Sequence, residues 1–185
     1  MDSKLQIISG MHRGRKLALP RGARPTQNRA RIALFNMLMS IADTAPGVVW
    51  DAFAGSGAFG LECLSRFPDC RVVLTDVAPD SIHTVRQNLA SLNAGPRATV
   101  VQADAIGAAS RFGADADWIF IDAPYAHAEL GRSLVARLGR EMRPGGIVIW
   151  EQEVGHEFVP DENAWEILRD KRYGRARFLI LQRRA

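Results

Sequence analysis

Four short, apolar, β-rich runs in this chain each end in an aspartate: Val48-Val49-Trp50-Asp51, Arg71 to Asp76 (RVVLTD), Ala98 to Asp104 (ATVVQAD) and Asp117 to Asp122 (DWIFID). Runs that are apolar throughout, rather than on alternate residues, fit strands covered on both faces, the habit of parallel sheets flanked by helices. The spacing between them is helical. After the first run, Phe59, Cys63 and Phe67 share one face of a helix that ends before Pro68. Pro79 suits the first turn of a helix reaching Asn93, with Ile82, Val85, Leu89 and Leu92 recurring along one side. A further helix from about Ala128 to Glu141 stops at Arg143-Pro144-Gly145-Gly146, and Ile147 to Glu151 (IVIWE) reads as a fifth strand. WEILRDKRY and RFLILQRR then flank a turn at Gly174. Five βα units and a terminal hairpin predict an α/β fold: a seven-stranded sheet, parallel except near its last edge, with helices on both faces.

The first 44 residues depart from this pattern and read as a small basic extension, with 45–185 as the main domain. Lys4 to Leu19 reads as a short hairpin around Arg13-Gly14; Pro25-Thr26 suits a helix start, and Ile32, Phe35, Leu38 and Met39 give that helix an apolar face. Charge is partitioned in the same way. Residues 1–31 carry eight Lys/Arg against Asp2, and residues 169–185 carry seven against Asp170; the stretch between them is acidic, although the whole chain is +4. Basic ends on an acidic body suit a polyanion bound where the ends meet, or simply solubilising tails.

With 185 residues, 47% of them apolar, one ordinary domain with its own core is expected. No window approaches the roughly 18–20 apolar residues of a membrane span, and no apolar stretch follows the basic start as in a signal peptide. Cys63 and Cys70 make no disulfide framework, and no Cys/His cluster has zinc spacing, so a reducing cytoplasm is the expected compartment and no metal is expected. His12, His83, His127 and His156 are scattered, and Trp50, Trp118 and Trp150 fall where packing is expected.

Ligands of such sheets bind at the carboxyl ends of the strands, where the four aspartates lie. Gly55, Gly57 and Gly60 satisfy G-x-G-x-x-G, and Asp76 follows at about the distance of a ribose-binding acid, so a nicotinamide dinucleotide is one reading. Asp51 opposes it, because its carboxylate would sit beside a pyrophosphate on the helix N-terminus. S-adenosylmethionine (SAM) suits it: an ammonium, a sulfonium, two ribose hydroxyls and no phosphate. Asp76 would then accept from the ribose hydroxyls, and Asp104 from the adenine amino group beside the Ala105 N–H, unless Asp104 merely caps a helix. Asp122-Ala123-Pro124-Tyr125 would carry the chemistry. An exocyclic amine of a nucleobase is a poor nucleophile; a carboxylate and the carbonyl of Ala123 or Pro124 accepting its two N–H bonds would localise its lone pair, while Tyr125 offers a stacking face.

DAFAGSGAFGLE, Asp76 and IDAPY together resemble the SAM-dependent amino-methyltransferases, and IISGMHRGRKLALP with RPTQNRARIALFNML resembles the bacterial small-subunit (16S) ribosomal RNA guanine-N2 methyltransferase family (RsmD-like) over essentially the whole chain. The resemblance implies a Rossmann-like methyltransferase fold with one antiparallel strand near the sheet edge, and SAM-dependent methylation of the N2 amine of a guanine in small-subunit rRNA. It implies Asp122, Pro124 and Tyr125 as catalytic residues, Asp51, Ala54, Gly55, Gly57, Asp76, Asp104 and Ala105 as the cofactor site, and an RNA grip of Arg13, Arg15, Lys16, Arg24, Arg29 and Arg31 in the extension. The expected partner is rRNA, naked or in an assembling subunit, with no membrane, and a monomer is the default expectation. Alternatives are a DNA or RNA adenine-N6 or cytosine-N4 methyltransferase, or a non-catalytic RNA-binding member of the fold. That family usually has proline where this chain has Ala123; the substitution restores an N–H and loosens φ without removing any group given a chemical role.

Overall fold

The computed structural model of the chain describes residues 5–23, 28–155 and 158–185. Its elements run α1 (Asn28–Ile41), β1 (Val48–Asp51), α2 (Ala58–Arg66), β2 (Arg71–Asp76), α3 (Pro79–Leu92), β3 (Ala98–Gln102), α4 (Ala105–Phe112), β4 (Trp118–Ile121), α5 (Ala128–Glu141), β5 (Ile147–Glu153), β6 (Trp165–Tyr173) and β7 (Ala176–Arg183). The seven strands form one sheet in the order β3-β2-β1-β4-β5-β7-β6. β1 through β5 pair in parallel, and β7 runs antiparallel between β5 and β6. The strand order reverses beside β1, where β2 lies on one side and β4 on the other, and this opens a crevice at their carboxyl ends.

Helices cover both faces as the apolar runs required. Leu34, Phe35 and Leu38 of α1, Leu61 and Leu64 of α2, and Val85 and Leu89 of α3 pack on Val49, Val72, Leu74, Trp118, Phe120 and Ile149. Leu134, Val135 and Leu138 of α5, with Ala105 and Ala109 of α4, pack on Trp50, Ile119, Ile121, Val148 and Trp150. Each of these large side chains contributes about 1.5–3 kcal/mol by leaving water. Strand alternation therefore sends Asp51, two residues past Val49, and Asp122, two past Phe120, toward the α2 face.

Several expectations shift at their edges. The third strand ends at Gln102, and Asp104 lies beyond it as the N-cap of α4, its Oδ2 accepting from Gly107 N at 2.7 Å. The fifth strand continues to Glu153 because β7 pairs with it to that point. On α1, Ile32 (41% exposed) and Met39 (53%) face outward, and Leu34 takes the inward place beside Phe35 and Leu38. The hairpin around Gly14 is held by Ile7 N to Arg15 O, Gly14 N to Ile7 O and Leu17 N to Leu5 O, with a bridge between Gln6 and Lys16. Leu5, Ile7 and Leu17 of this hairpin join the same core cluster as α1 and α2. The expected Pro25-Thr26 helix start, Lys4 and His156 lie outside the described residues.

Candidate active site

Asp51 ends β1 with 1% of its surface exposed, and its Oδ2 accepts from Gly60 N in the first turn of α2 at 3.0 Å. Its Oδ1 is buried with no hydrogen-bond partner among the described residues. Burial, and then the charges of Asp122 and Asp76, raise this carboxyl to about 7 against the pull of the Gly60 N–H. The loop between β1 and α2 is fastened to its neighbours. Ala54 N donates to Thr75 O (2.9 Å), Gly57 N to Ala54 O (2.6 Å), and Gly55 N to Asp76 Oδ2 (2.9 Å). Gly55 has φ +54° and nothing within 4 Å of where a Cβ would stand, so the turn presents bare backbone to open space. Asp76 Oδ1 accepts from Ala78 N at 2.9 Å, leaving further lone pairs on both oxygens. Asp104 is exposed, and Ala105 beside it is 3% exposed at the start of α4.

This donor set suits SAM. The Asp51 oxygen without a partner among the described residues can accept from a cationic donor, the turn at Gly55 leaves open space beside it, and Asp76 keeps lone pairs that can accept from hydroxyls. The described residues hold no group of three or more His, Cys, Asp or Glu suited to a metal ion.

Asp122 follows β4 and is partly buried, and its carboxyl is raised by burial. Ala123 is 6% exposed; Pro124 is exposed, and its carbonyl accepts from His127 N at 2.8 Å in the short 3₁₀ turn Tyr125–His127. The Ala123 and Pro124 carbonyls both follow Asp122 in this loop, and the Pro124 carbonyl keeps a second lone pair beside its bond from His127 N. The Tyr125 hydroxyl donates to Glu151 Oε1 at 3.2 Å, and burial followed by the Glu151 charge pushes its phenol up.

Two residues of this region carried no sequence expectation. Glu151, on β5 next to Asp122, is 7% exposed, and its carboxyl is raised by burial and by Asp122. A charge at the third of three inward-facing positions (Ile147, Ile149, Glu151) is the signal that could have singled it out. Asn88 of α3 donates to Ser56 O (2.9 Å) and Ala18 O (3.0 Å) and accepts from Ala18 N (2.8 Å), tying the glycine loop to the N-terminal segment.

That segment is bolted to α2. Glu62, fully buried, accepts from Ile8 N (2.8 Å), Ser9 N (2.9 Å) and Arg66 Nε (2.7 Å). Arg13, Arg15, Lys16 and Arg29 are exposed on it and on α1, and the Arg15 guanidinium also bonds Ser91 O. Arg31 is different: it is 3% exposed, and its Nη2 bonds Gln6 O and Asn28 Oδ1, so its charge lies inside the protein, bracing α1 on the hairpin. Arg24 lies outside the described residues. Trp50, Trp118 and Trp150 are buried in the sheet, and Cys63 and Cys70 are free buried thiols. No described helix is long and apolar enough to cross a membrane.

Against known proteins, the family described as Conserved hypothetical protein 95 matches residues 5–182. "Ribosomal RNA small subunit methyltransferase D" of Escherichia coli (strain K12) is 32% identical over 187 residues, covering 100% of this chain and 92% of the relative. The Haemophilus influenzae protein of the same name is 28% identical over 190 residues, covering 97% and 94%. Among solved structures, the E. coli protein yhhF superposes with a TM-score of 0.82 at 33% identity, covering 97% of this chain and 98% of that one. An RNA methyltransferase from Salinibacter ruber, solved in complex with S-adenosyl-L-homocysteine, has a TM-score of 0.66 at 16% identity over 87% and 94%, a likeness of fold.

Proposed function

The chain belongs to the family described as Conserved hypothetical protein 95, the RsmD family, and from that premise we propose that it is a SAM-dependent ribosomal RNA methyltransferase acting on the exocyclic N2 amine of a guanine in the small-subunit RNA. The observation that carries this reading is the placement of two carboxylates at the reversal of strand order. Asp51, with a bare buried oxygen, lies on the glycine-loop side, and Asp122, followed by Ala123, lies at the end of the neighbouring strand.

When bound, SAM supplies an electrophilic methyl on a positively charged sulfur. Asp51 Oδ1 would hold its cationic amino end, Asp76 the ribose hydroxyls, and Asp104 with Ala105 the adenine edge. Asp122 accepts one N–H of the target amine and the carbonyl of Ala123 or Pro124 the other, drawing the nitrogen toward tetrahedral geometry so that its lone pair is no longer spent in the ring. Asp122 also takes the proton that the nitrogen sheds on methylation, a role suited to a carboxyl raised by burial. Pro124 fixes the loop, and the Tyr125 ring stacks on a base taken out of its helix. Arg13, Arg15, Lys16, Arg24 and Arg29 grip phosphates, with residues 1–44 as an RNA-binding extension on a monomeric cytoplasmic enzyme. Its substrate is rRNA, naked or within an assembling subunit.

The test is methylation of small-subunit RNA by the purified protein with isotopically labelled SAM, followed by nucleoside mass mapping. N2-methylguanosine is expected, with Asp122→Ala slower by about 10³-fold or more. Label on adenine N6 or cytosine N4, or equal turnover by Asp122→Ala, would overturn the reading.

A further inference from the structure

Glu151 is a buried carboxylate with no role in the account above. Among the described residues its Oε2 has no hydrogen-bond partner and its Oε1 accepts only the Tyr125 hydroxyl, 3.2 Å away. Native folds rarely leave a buried acceptor bare, so such an atom marks a place where a donor arrives from outside. Beside it, toward α5, is a recess of about 20 Å³, room for one water, which it lines with Ala123, Tyr125, Ala128, Arg132, Trp150 and Phe158. The recess lies beside the Asp122 loop because β4 and β5 pair in parallel with Ile121 opposite Trp150, making Asp122 and Glu151 the next residues on adjacent strands. Alternation puts both on the α2 face, with Asp51 beyond them on β1.

Burial and the Asp122 charge oppose the ionisation of Glu151 until a donor reaches it, and two neighbouring carboxyls ionised together want two neighbouring donors. Guanine has them: the N2 amine, and N1–H on the adjoining ring atom. Adenine and cytosine place a bare ring nitrogen, an acceptor, beside the exocyclic amine, so a second carboxylate would face lone pair against lone pair. Resting on the guanine reading above, we propose that Glu151 is the specificity-determining residue of this site, accepting N1–H of the target guanine through Oε2 while Asp122 holds the N2 amine. The Tyr125 hydroxyl keeps Glu151 in place through Oε1, linking the stacking residue to the edge reader.

The experiment uses small-subunit RNA in which the mapped target guanine is replaced by 2-aminopurine, which keeps the N2 amine but has an unprotonated N1. The kcat/KM for methyl transfer is measured on both RNAs with the native chain, Glu151→Gln and Glu151→Asp, and the products are identified by mass. The native chain is expected to prefer guanine by about 10- to 100-fold, the worth of a good base-edge pair. Glu151→Gln, able to turn its amide NH₂ toward N1, should lose at least about tenfold of that preference, and Glu151→Asp should keep its direction. Comparing the preference between proteins cancels the O6 contact that 2-aminopurine also lacks, and it is a ratio that a merely structural role would not move.

An unchanged preference in Glu151→Gln, with N2-methylguanosine still formed by the native chain, overturns the Glu151 role and leaves the guanine reading standing. Equal use of both RNAs by the native chain overturns the role without recourse to any variant. Absence of N2-methylguanosine from the native chain's product overturns both.

Discussion

Replacing Asp51 with asparagine should make the cofactor-free protein more stable at pH 8 while weakening its hold on SAM. The unfolded carboxyl ionises at its ordinary 3.8 and the folded one at about 7. Between those pH values the folded chain keeps a proton that the unfolded chain has lost, so stability falls as pH rises through the window and the loss is complete above it. At this site, 1% exposed, a rise from 3.8 to about 7 corresponds to on the order of 4 kcal/mol of destabilisation at pH 8. Asparagine removes the charge and can still accept from Gly60 N, at the cost of an unpaired amide worth about 1–3 kcal/mol. A net gain of about 2 kcal/mol remains, or a Tm rise of about 4–8 °C for a chain of this size. At pH 5 the native carboxyl is protonated, and the two proteins should melt together. Titration calorimetry should show the opposite ranking for SAM: about 10- to 100-fold weaker binding by Asp51→Asn at pH 7, the loss of a charge-assisted bond. Native affinity should rise about fivefold from pH 6 to pH 7 as Asp51 ionises, and the variant should show no such rise. A lower Tm for Asp51→Asn than for the native chain at pH 8 would refute the reasoning, because the carboxylate would then be a stabilising group and not a charge held in reserve for a cationic ligand.

The salt dependence of RNA binding separates exposed from buried arginines: Arg13→Gln and Arg29→Gln should each flatten the slope of log affinity against log salt by about one unit. Arg31→Gln should leave the slope unchanged and destabilise the fold by about 1–3 kcal/mol in a urea melt, because its guanidinium braces Gln6 and Asn28. Gly10→Ala should cost about 2 kcal/mol or more, measured in the same melt, since Gly10 has φ +84° and a Cβ there would lie 2.0 Å from Ser65 O. Ala123→Pro should raise single-turnover methyl transfer by stiffening the loop after β4, with SAM affinity held within about threefold.

The layered fold was legible because parallel strands buried on both faces must be apolar throughout. VVWD, RVVLTD, WIFI and IVIW therefore stand out, and the helical spacing between them leaves one arrangement of layers. The aspartates could be located for a related reason: a polar residue closing an apolar run lies at the strand end, where doubly wound sheets bind ligands. What periodicity does not carry is which side chains end up sharing one space. Arg31 reads as one more basic residue of the N-terminal segment until packing against Gln6 and Asn28 turns its charge inward. Asp104 does cap α4, a local bond that spacing foresees, whereas the Asn88 tie from α3 to both Ser56 and Ala18 joins segments 32 and 70 residues apart. Glu151 was visible only as the end of a strand; its meeting with Asp122 and Tyr125 exists because β5 lies beside β4 in parallel register. Local sequence sets periodicity, turns and caps through interactions a few residues long, but burial, bare acceptors and raised carboxyls arise from contacts between distant segments, and those are decided when the sheet assembles.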